Sequence, residues 1–299
     1  MGGEQGSGTL YVVATPIGNL EDLSPRAARV LDEVDTIAAE DTRAAGLLLQ
    51  HAGITESHLI SFHEHNERSR VTELVDILIG GKDVALISEA GTPGISDPGF
   101  RLVREARKRG FPVRAIPGPS AALAALSVSG LPTHRFAFLG FPPRGEAAVD
   151  WLERYLLLDL TLVLYEGRSR VTHLLEVLQR TAPRRLIAVS RELTKLYEDT
   201  RVGMPEELLR WFGDNPGSLR GEFTVMVAPS GYRLEEENSD SSENLPEESL
   251  PGRDDLLMRE IQMLVDGGYR PSQAVATVAR GHRLTKANLY RIYEAWREK

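Results

Sequence analysis

The sequence predicts an α/β protein made of two doubly wound α/β domains, followed by a small C-terminal helical module. Three observations support this prediction. Short apolar runs, typical of buried parallel strands, alternate with stretches of helical periodicity. Loops rich in glycine and proline follow several of these runs, as expected where a strand turns into a helix. An acidic segment then separates the α/β body from a basic tail.

The first domain is predicted to span residues 9–130, because Gly130-Leu131-Pro132 interrupts the alternating pattern. A helix is expected after each of its strands, which are predicted at residues 9–15, 37–39, 59–62, 83–87 and 112–116. Asp97 is the predicted N-cap of the fourth helix, and Pro98 is placed at its first helical position.

The second domain is predicted to span residues 131–229, with strands at 136–139, 160–165, 186–190 and 221–227. Residues 230–252 are rich in Ser, Glu, Pro and Asn, so they are expected to form an acidic disordered linker. Residues 253–299 are predicted to form a basic tail of three short helices, similar to a small helix-turn-helix module. The alternative for this tail is a packing element that docks on the body.

Composition favours a cytoplasmic enzyme. Of the 299 residues, 41% are hydrophobic and 26% are charged, an ordinary balance for two globular domains. No run resembles a signal peptide or a membrane helix, so no membrane partner is expected. The formal net charge of −8 is concentrated, since residues 234–255 contain nine acids and one base. Residues 256–299 contain eight Lys or Arg and four acids. The basic tail is therefore compatible with binding to a nucleic acid.

Three of the Gly/Pro loops are candidate ligand sites. They follow predicted strands at residues 16–19, 89–93 and 117–120. Gly91 permits backbone angles closed to other residues and lets a ligand approach the main chain. Two charged strand ends, residues 40–43 and 191–195, can face the same inter-domain cleft.

Several other site types are not predicted. The chain has no cysteine, and His63 and His65 lack the helical spacing of a zinc-binding pair, so no metal is expected. No Gly-x-Gly-x-x-Gly, Walker or Gly-x-Ser-x-Gly motif occurs, which argues against nicotinamide, nucleoside-triphosphate and serine-hydrolase chemistry.

Six motifs occur in a fixed order between residues 9 and 227. They are Thr15-Pro16-Ile17-Gly18-Asn19-Leu20, Glu40-Asp41-Thr42-Arg43, Ala90-Gly91-Thr92-Pro93 with Asp97-Pro98-Gly99, Pro117-Gly118-Pro119-Ser120, Tyr165-Glu166 and Arg191-Glu192-Leu193-Thr194-Lys195. Together they resemble the tetrapyrrole-methylase superfamily, and within it the RsmI type, the 16S ribosomal RNA (cytidine-1402 2′-O) methyltransferases. The resemblance implies a homodimer that uses S-adenosyl-L-methionine, bound in a cleft between two α/β domains of tetrapyrrole-methylase type. The implied partner is the 16S rRNA of the small ribosomal subunit.

The resemblance also implies which residues bind the cofactor. They are Pro16, Ile17, Gly18, Glu89, Ala90, Gly91, Thr92, Pro93, Pro117, Ser120, Ala121, Tyr165 and Glu166. One position departs from the family pattern, because Glu89 stands where the family usually has Asp. The carboxylate is retained on a longer side chain.

The implied reaction is an in-line displacement, in which a ribose hydroxyl attacks the methyl carbon of the cofactor. Lys195 is the first candidate to polarise or deprotonate this hydroxyl, with Asp41 and Glu192 as alternatives. The predicted RNA-binding residues are Arg43, Arg191, Arg283, Lys286 and Arg291. Two alternatives stay open: a methylase of a tetrapyrrole or another small acceptor, and a non-catalytic RNA-binding ribosome-assembly factor. Titration with the cofactor separates the second from an enzyme.

Overall fold

The computed structural model describes residues 7–232, 253–266, 269–281, 284 and 286–297. The prediction of two α/β domains and a helical module is confirmed. Most of the predicted acidic linker lies outside the described residues, as does Arg283.

The first domain contains a five-stranded sheet in the order β3-β2-β4-β1-β5, and all of its neighbouring strands pair in parallel. The strands are β1 (Leu10–Val13), β2 (Thr36–Ala39), β3 (Leu59–Ser61), β4 (Val84–Ile87) and β5 (Val113–Ile116). The helices are α1 (Pro25–Glu33), α2 (Thr42–His51), α3 (Glu67–Ile79), α4 (Phe100–Lys108) and α5 (Ala121–Val128).

Two apolar layers cover the faces of this sheet. One layer contains residues of α3 and α4, including Leu74, Leu78 and Leu102. The other contains residues of α1 and α2, including Leu31 and Leu49. Because helices bury both faces, every residue of β2 and β4 is buried, and apart from Thr36 all of them are apolar.

The second domain contains a mixed sheet in the order β6-β7-β10-β8-β9. Its strands are β6 (Phe136–Gly140), β7 (Thr161–Gly167), β8 (Ile187–Arg191), β9 (Asp199–Gly203) and β10 (Glu222–Val227). Its helices are α6 (Ala147–Leu156), α7 (Val171–Thr181) and α8 (Pro205–Asp214). Only the β6–β7 pair is parallel in this sheet, and the other three pairs are antiparallel.

The edge strand β9 is absent from the sequence-based prediction. It pairs with β8 along one side, and its residues are mostly half-buried or exposed. Its sequence, Asp-Thr-Arg-Val-Gly, therefore has no apolar run, and the local pattern gives no signal for a strand.

Helix α5 connects the two domains. It follows β5 of the first sheet, yet Ala122, Ala125 and Leu126 pack in a cluster with Val163 and Met226 of the second sheet. Small alanine side chains let the helix lie close to that sheet. The carboxyl edge of the first sheet is therefore held against the second domain.

The predicted N-cap of α4 is wrong. The helix begins at Phe100, and Gly99 occupies the N-cap position with φ +142°. The backbone amides of Gly99 and Arg101 donate to the Glu67 carboxylate of α3, at 3.1 and 3.3 Å. Arg101 also pairs with Glu67 at 3.1 Å. A carboxylate from another helix thus caps α4 in place of Asp97.

We expect Glu67→Gln to lower the free energy of unfolding by about 1.5–3 kcal/mol, because a nearly buried charged acceptor for the α4 amides is replaced by a neutral amide. Urea denaturation measures this change. Glu73→Gln on the same helix is the matched control, since Glu73 forms an exposed pair with Arg70 that contributes less than about 1 kcal/mol. Equal losses in the two variants would show that the Glu67 cap is not important for stability.

The C-terminal module consists of α9 (Arg253–Asp266), α10 (Pro271–Gly281) and α11 (Lys286–Arg297). These helices share a cluster of their own, which contains Met258, Ile261, Val275, Leu289 and Tyr293. None of the helices in the described ranges has both the length and the apolar character needed to cross a membrane.

Candidate active site

A cavity of about 780 Å³ lies between the two domains, at the carboxyl ends of the first-domain strands. Most of the sequence-predicted cofactor residues line it, namely Pro16, Ile17, Gly18, Glu89, Ala90, Gly91, Thr92, Ser120, Ala121, Tyr165 and Glu166. Pro93 and Pro117 belong to the same loops but do not line the cavity.

Backbone hydrogen bonds hold the first-domain loops together. Thr15 and Gly91 exchange two of them, at 2.8 and 3.1 Å, so the end of β1 is joined to the loop after β4. The Thr92 hydroxyl donates to the Pro119 carbonyl at 3.3 Å, which joins the loop before α5 as well. Gly91 has φ +92°, a conformation that favours glycine. The loops therefore present main chain to the cavity.

Tyr165 and Glu166 extend from β7 on the opposite wall. The Ala122 amide at the start of α5 donates to the Tyr165 hydroxyl at 3.1 Å, and burial raises the pKa of that phenol. Glu166 is 3% exposed and pairs with Arg170 at 2.7 Å. The positive charge of Arg170 therefore balances the negative charge of this carboxylate within the second domain.

The loop after β8 places Lys195 across the cleft. Glu192 and Thr194 have φ +49° and +66°, and such angles in non-glycine residues are concentrated at functional sites. Lys195 Nζ donates to Glu192 Oε1 at 3.1 Å. The Lys195 stem covers Gly18, where an added Cβ would lie 2.7 Å from Lys195 Cγ. Glu192 occupies the space beside Gly221. Lys195 and Glu192 therefore form one unit beside the first-domain loops.

Four further carboxylates border the cavity. Burial raises the pKa of Asp97 to about 6, and the charges of Glu40, Glu222 and Glu89 add to the rise, whereas a hydrogen bond from Ser88 opposes it. Burial also raises the pKa of Glu40. No site role was predicted from the sequence for Glu40, Asp97 or Glu222. Glu40 and Asp97 belong to two of the six sequence motifs, so the sequence could have marked them as site candidates. Glu222 belongs to no motif.

Asp41 and Arg43 lie outside the cavity lining. Asp41 is the N-cap of α2, and backbone hydrogen bonds from Arg43 and Ala44 lower its pKa. The Arg43 side chain is 92% exposed and pairs with Asp41 at 3.4 Å. Two backbone amides of α2 therefore occupy the Asp41 carboxylate.

The remaining RNA-binding candidates are distributed over two regions. Arg191 does not line the cavity and pairs with Asp199 of β9 at 3.7 Å. Lys286 and Arg291 are exposed on α11 of the C-terminal module. The structure thus brings Lys195 and Glu192 to the cavity with the cofactor loops, but not Arg191.

Residues 9–209 match the family model described as Tetrapyrrole (Corrin/Porphyrin) Methylases, and the chain belongs to this family. Within it, the ribosomal RNA small subunit methyltransferase I of Halalkalibacterium halodurans is 40% identical, over 96% of this chain and 94% of that protein. The protein of the same name from Escherichia coli O157:H7 is 39% identical, over 96% of this chain and 95% of its own. The resemblance to the RsmI type is therefore confirmed.

A solved structure shows the same fold. The uroporphyrin-III C-methyl transferase from Thermus thermophilus, complexed with S-adenyl homocysteine, has a TM-score of 0.52 and 19% sequence identity to this chain. The similarity covers 74% of this chain and 97% of that chain. At this identity the likeness concerns the fold alone.

Proposed function

We propose that this protein uses S-adenosylmethionine to methylate the 2′-hydroxyl of a cytidine, family position 1402, in the 16S rRNA of the small ribosomal subunit. The observation that carries the proposal is a single cavity with the Gly91 loop on one side and Lys195 and Glu192 on the other. The names of the relatives support ribosomal RNA of the small subunit as the substrate.

The cavity fits this cofactor in size and charge. Its volume of about 780 Å³ falls within the range of ligand pockets, roughly 300–1,000 Å³. Glu40, Glu89 and Glu222 line it and complement a ligand that carries a sulfonium and an ammonium group. When bound, the cofactor supplies a methyl group that is already activated as an electrophile. The proposed binding residues are the predicted ones that line the cavity.

Lys195 is proposed to orient the ribose hydroxyl. Glu192 accepts a hydrogen bond from Lys195 Nζ, so the amine is held as a donor at the cavity wall. Alignment of two bound reactants accounts for much of the rate acceleration in a displacement of this kind, about 7 kcal/mol or more of the barrier. Arg43, whose side chain is 92% exposed, is proposed to bind phosphate. Arg191 suits this role less because its side chain is only 17% exposed.

The test is methyl transfer from labelled S-adenosylmethionine to small ribosomal subunits, followed by identification of the modified nucleoside. The expected product is a 2′-O-methylated cytidine. Cofactor binding without any RNA product, combined with methylation of a tetrapyrrole, would support a small-molecule methylase instead. A protein that binds the subunit but not the cofactor would be a non-catalytic assembly factor.

The proposed homodimer is tested by light scattering on the full chain.

Truncation after Tyr232 is expected to leave cofactor affinity unchanged and to weaken binding of the small subunit. Tyr232 is retained because its hydroxyl donates to the Gly130 carbonyl at 3.1 Å. The truncation removes helices that carry the exposed residues Lys286 and Arg291. For every phosphate that these helices neutralise, their removal should make the slope of log affinity against log salt shallower by about 0.7–0.9. A large fall in melting temperature with an unchanged salt slope would identify the tail as a packing element.

A further inference from the structure

Asp97 lies on the cavity wall in the loop between β4 and α4, and the function proposed above leaves it without a role. The loop is held in shape by backbone hydrogen bonds, from the Gly94 amide to the Pro98 carbonyl and from the Ile95 amide to the Thr92 carbonyl, both at 3.2 Å. Ser96 has φ +65°, which turns the chain just before Asp97. Asp97 is therefore presented by a defined loop.

The Asp97 loop reaches across to the second domain. An added Cβ at Gly140, the last residue of β6, would lie 3.1 Å from Ser96 Oγ. The charges that act on Asp97 come from both domains, with Glu40 and Glu89 in the first and Glu222 of β10 in the second. The Asp97 charge in turn acts on Tyr165 of β7. Asp97 thus lines the cavity together with residues of both walls.

The three residues suggested by the motifs are less suited to accept a proton. Lys195 Nζ donates to Glu192, which engages both groups in one ion pair. Asp41 accepts the Arg43 and Ala44 amides at 2.7 and 3.3 Å as the N-cap of α2. Asp97 has no ion pair among the described residues, and its carboxylate borders the cavity.

We propose that Asp97 is the catalytic residue that accepts the proton of the attacking ribose hydroxyl. The inference rests on the proposed function. As the hydroxyl oxygen bonds to the methyl carbon, the carbon–sulfur bond breaks and its electron pair stays on sulfur. The hydroxyl proton passes to the Asp97 carboxylate and then to water, so charge and atoms balance.

The environment of Asp97 suits this step. Burial, with the neighbouring carboxylates adding to it, raises its pKa to about 6. A base of that strength is ionised at neutral pH and accepts a proton more readily than an ordinary carboxylate does.

The test is Asp97→Asn, which keeps the shape of the side chain and removes its ability to take a proton. We expect kcat for methylation of small subunits to fall by about 10²–10⁴-fold, with the Kd of S-adenosylmethionine nearly unchanged. Asp32→Asn, an exposed position on α1, is the control and keeps full activity. Wild-type kcat/KM, which reports the pKa of the free enzyme, should rise with pH through an inflection near 6. Glu40→Gln should lower that inflection, because a neighbouring negative charge is removed.

A second readout needs neither cofactor nor RNA. Between pH 3.8, the ordinary pKa, and about 6, native Asp97 keeps a proton that the unfolded chain releases. The free energy of unfolding therefore falls as pH rises through this window. Asp97→Asn should lack this contribution. Identical pH dependence in both proteins would overturn the proposal.

Two other outcomes would also overturn it. Unchanged kcat in Asp97→Asn would exclude proton transfer to Asp97. A selective loss of affinity for S-adenosylmethionine, with S-adenosylhomocysteine unaffected, would make Asp97 a partner of the sulfonium charge. If the wild-type protein binds the cofactor but methylates no small subunit, the proposed function itself fails, and the inference fails with it.

Discussion

Lys195→Ala is expected to lower kcat for methylation of small subunits by about 100-fold or more, with the Kd of S-adenosylmethionine changed less than about threefold. The reason is the position of the amine, which Glu192 holds at the cavity wall at 3.1 Å. An interaction that acts on the hydroxyl lowers kcat when it is removed, whereas an interaction with the cofactor changes its Kd. Steady-state kinetics and calorimetric titration measure the two quantities.

Two further variants separate charge from packing. Lys195→Met keeps an unbranched stem over Gly18 and removes the ammonium, so it should be as slow as Lys195→Ala. Lys195→Arg keeps the charge, and partial activity would identify a donor rather than a proton acceptor. Lys108→Ala is the control, because Lys108 is exposed at the end of α4. Wild-type turnover in Lys195→Met would remove the amine from the mechanism.

Gly91→Val is expected to weaken S-adenosylmethionine binding by about 100-fold or more, equivalent to roughly 2.7 kcal/mol. At Gly91 an added Cβ meets Ile17 Cγ2 at 3.4 Å and the Pro119 carbonyl at 3.8 Å, so the larger branched side chain is directed among the cofactor loops. Isothermal titration with S-adenosylmethionine tests the effect.

Backbone strain alone must be excluded, because φ is +92° at Gly91. Gly110→Val provides the matched control. Gly110 has φ +80°, and an added Cβ there meets nothing within 4 Å. Both variants should lose stability through strain of roughly 1–2 kcal/mol or more, but only Gly91→Val should lose cofactor affinity. Similar affinity in two folded variants would contradict a cofactor site at this loop.

The arrangement of the cleft explains why substitutions on its two sides are expected to have different effects. The Thr15–Gly91 pairing and the Thr92–Pro119 bond make the first-domain loops one rigid surface. The opposite wall carries side chains, with Lys195 supported by Glu192. Substitutions at Gly91, where main chain faces the cavity, should therefore change binding, and substitutions at the side chains of Lys195 and Asp97 should change turnover.

The sequence by itself determined the order of elements and most residues of the candidate site. The apolar runs of β2 and β4 can be read directly because burial on both faces requires continuous apolar residues. The start of α1 is equally local, since the Ala27 amide donates to the Ser24 hydroxyl three residues away. The motifs identified the Gly91 loop and Lys195 because each belongs to a short contiguous segment.

Only the tertiary structure decided the features that depend on residues distant in the chain. The α4 cap comes from Glu67, and β9 is a strand only because β8 pairs with it. Local patterns carry no signal for such contacts, since a pattern records the burial of a segment but not the partner that buries it. The same reason separates Arg191 from Lys195, which stand four positions apart in one motif: Asp199 of β9 pairs with Arg191, and the turn at Glu192 directs Lys195 into the cleft.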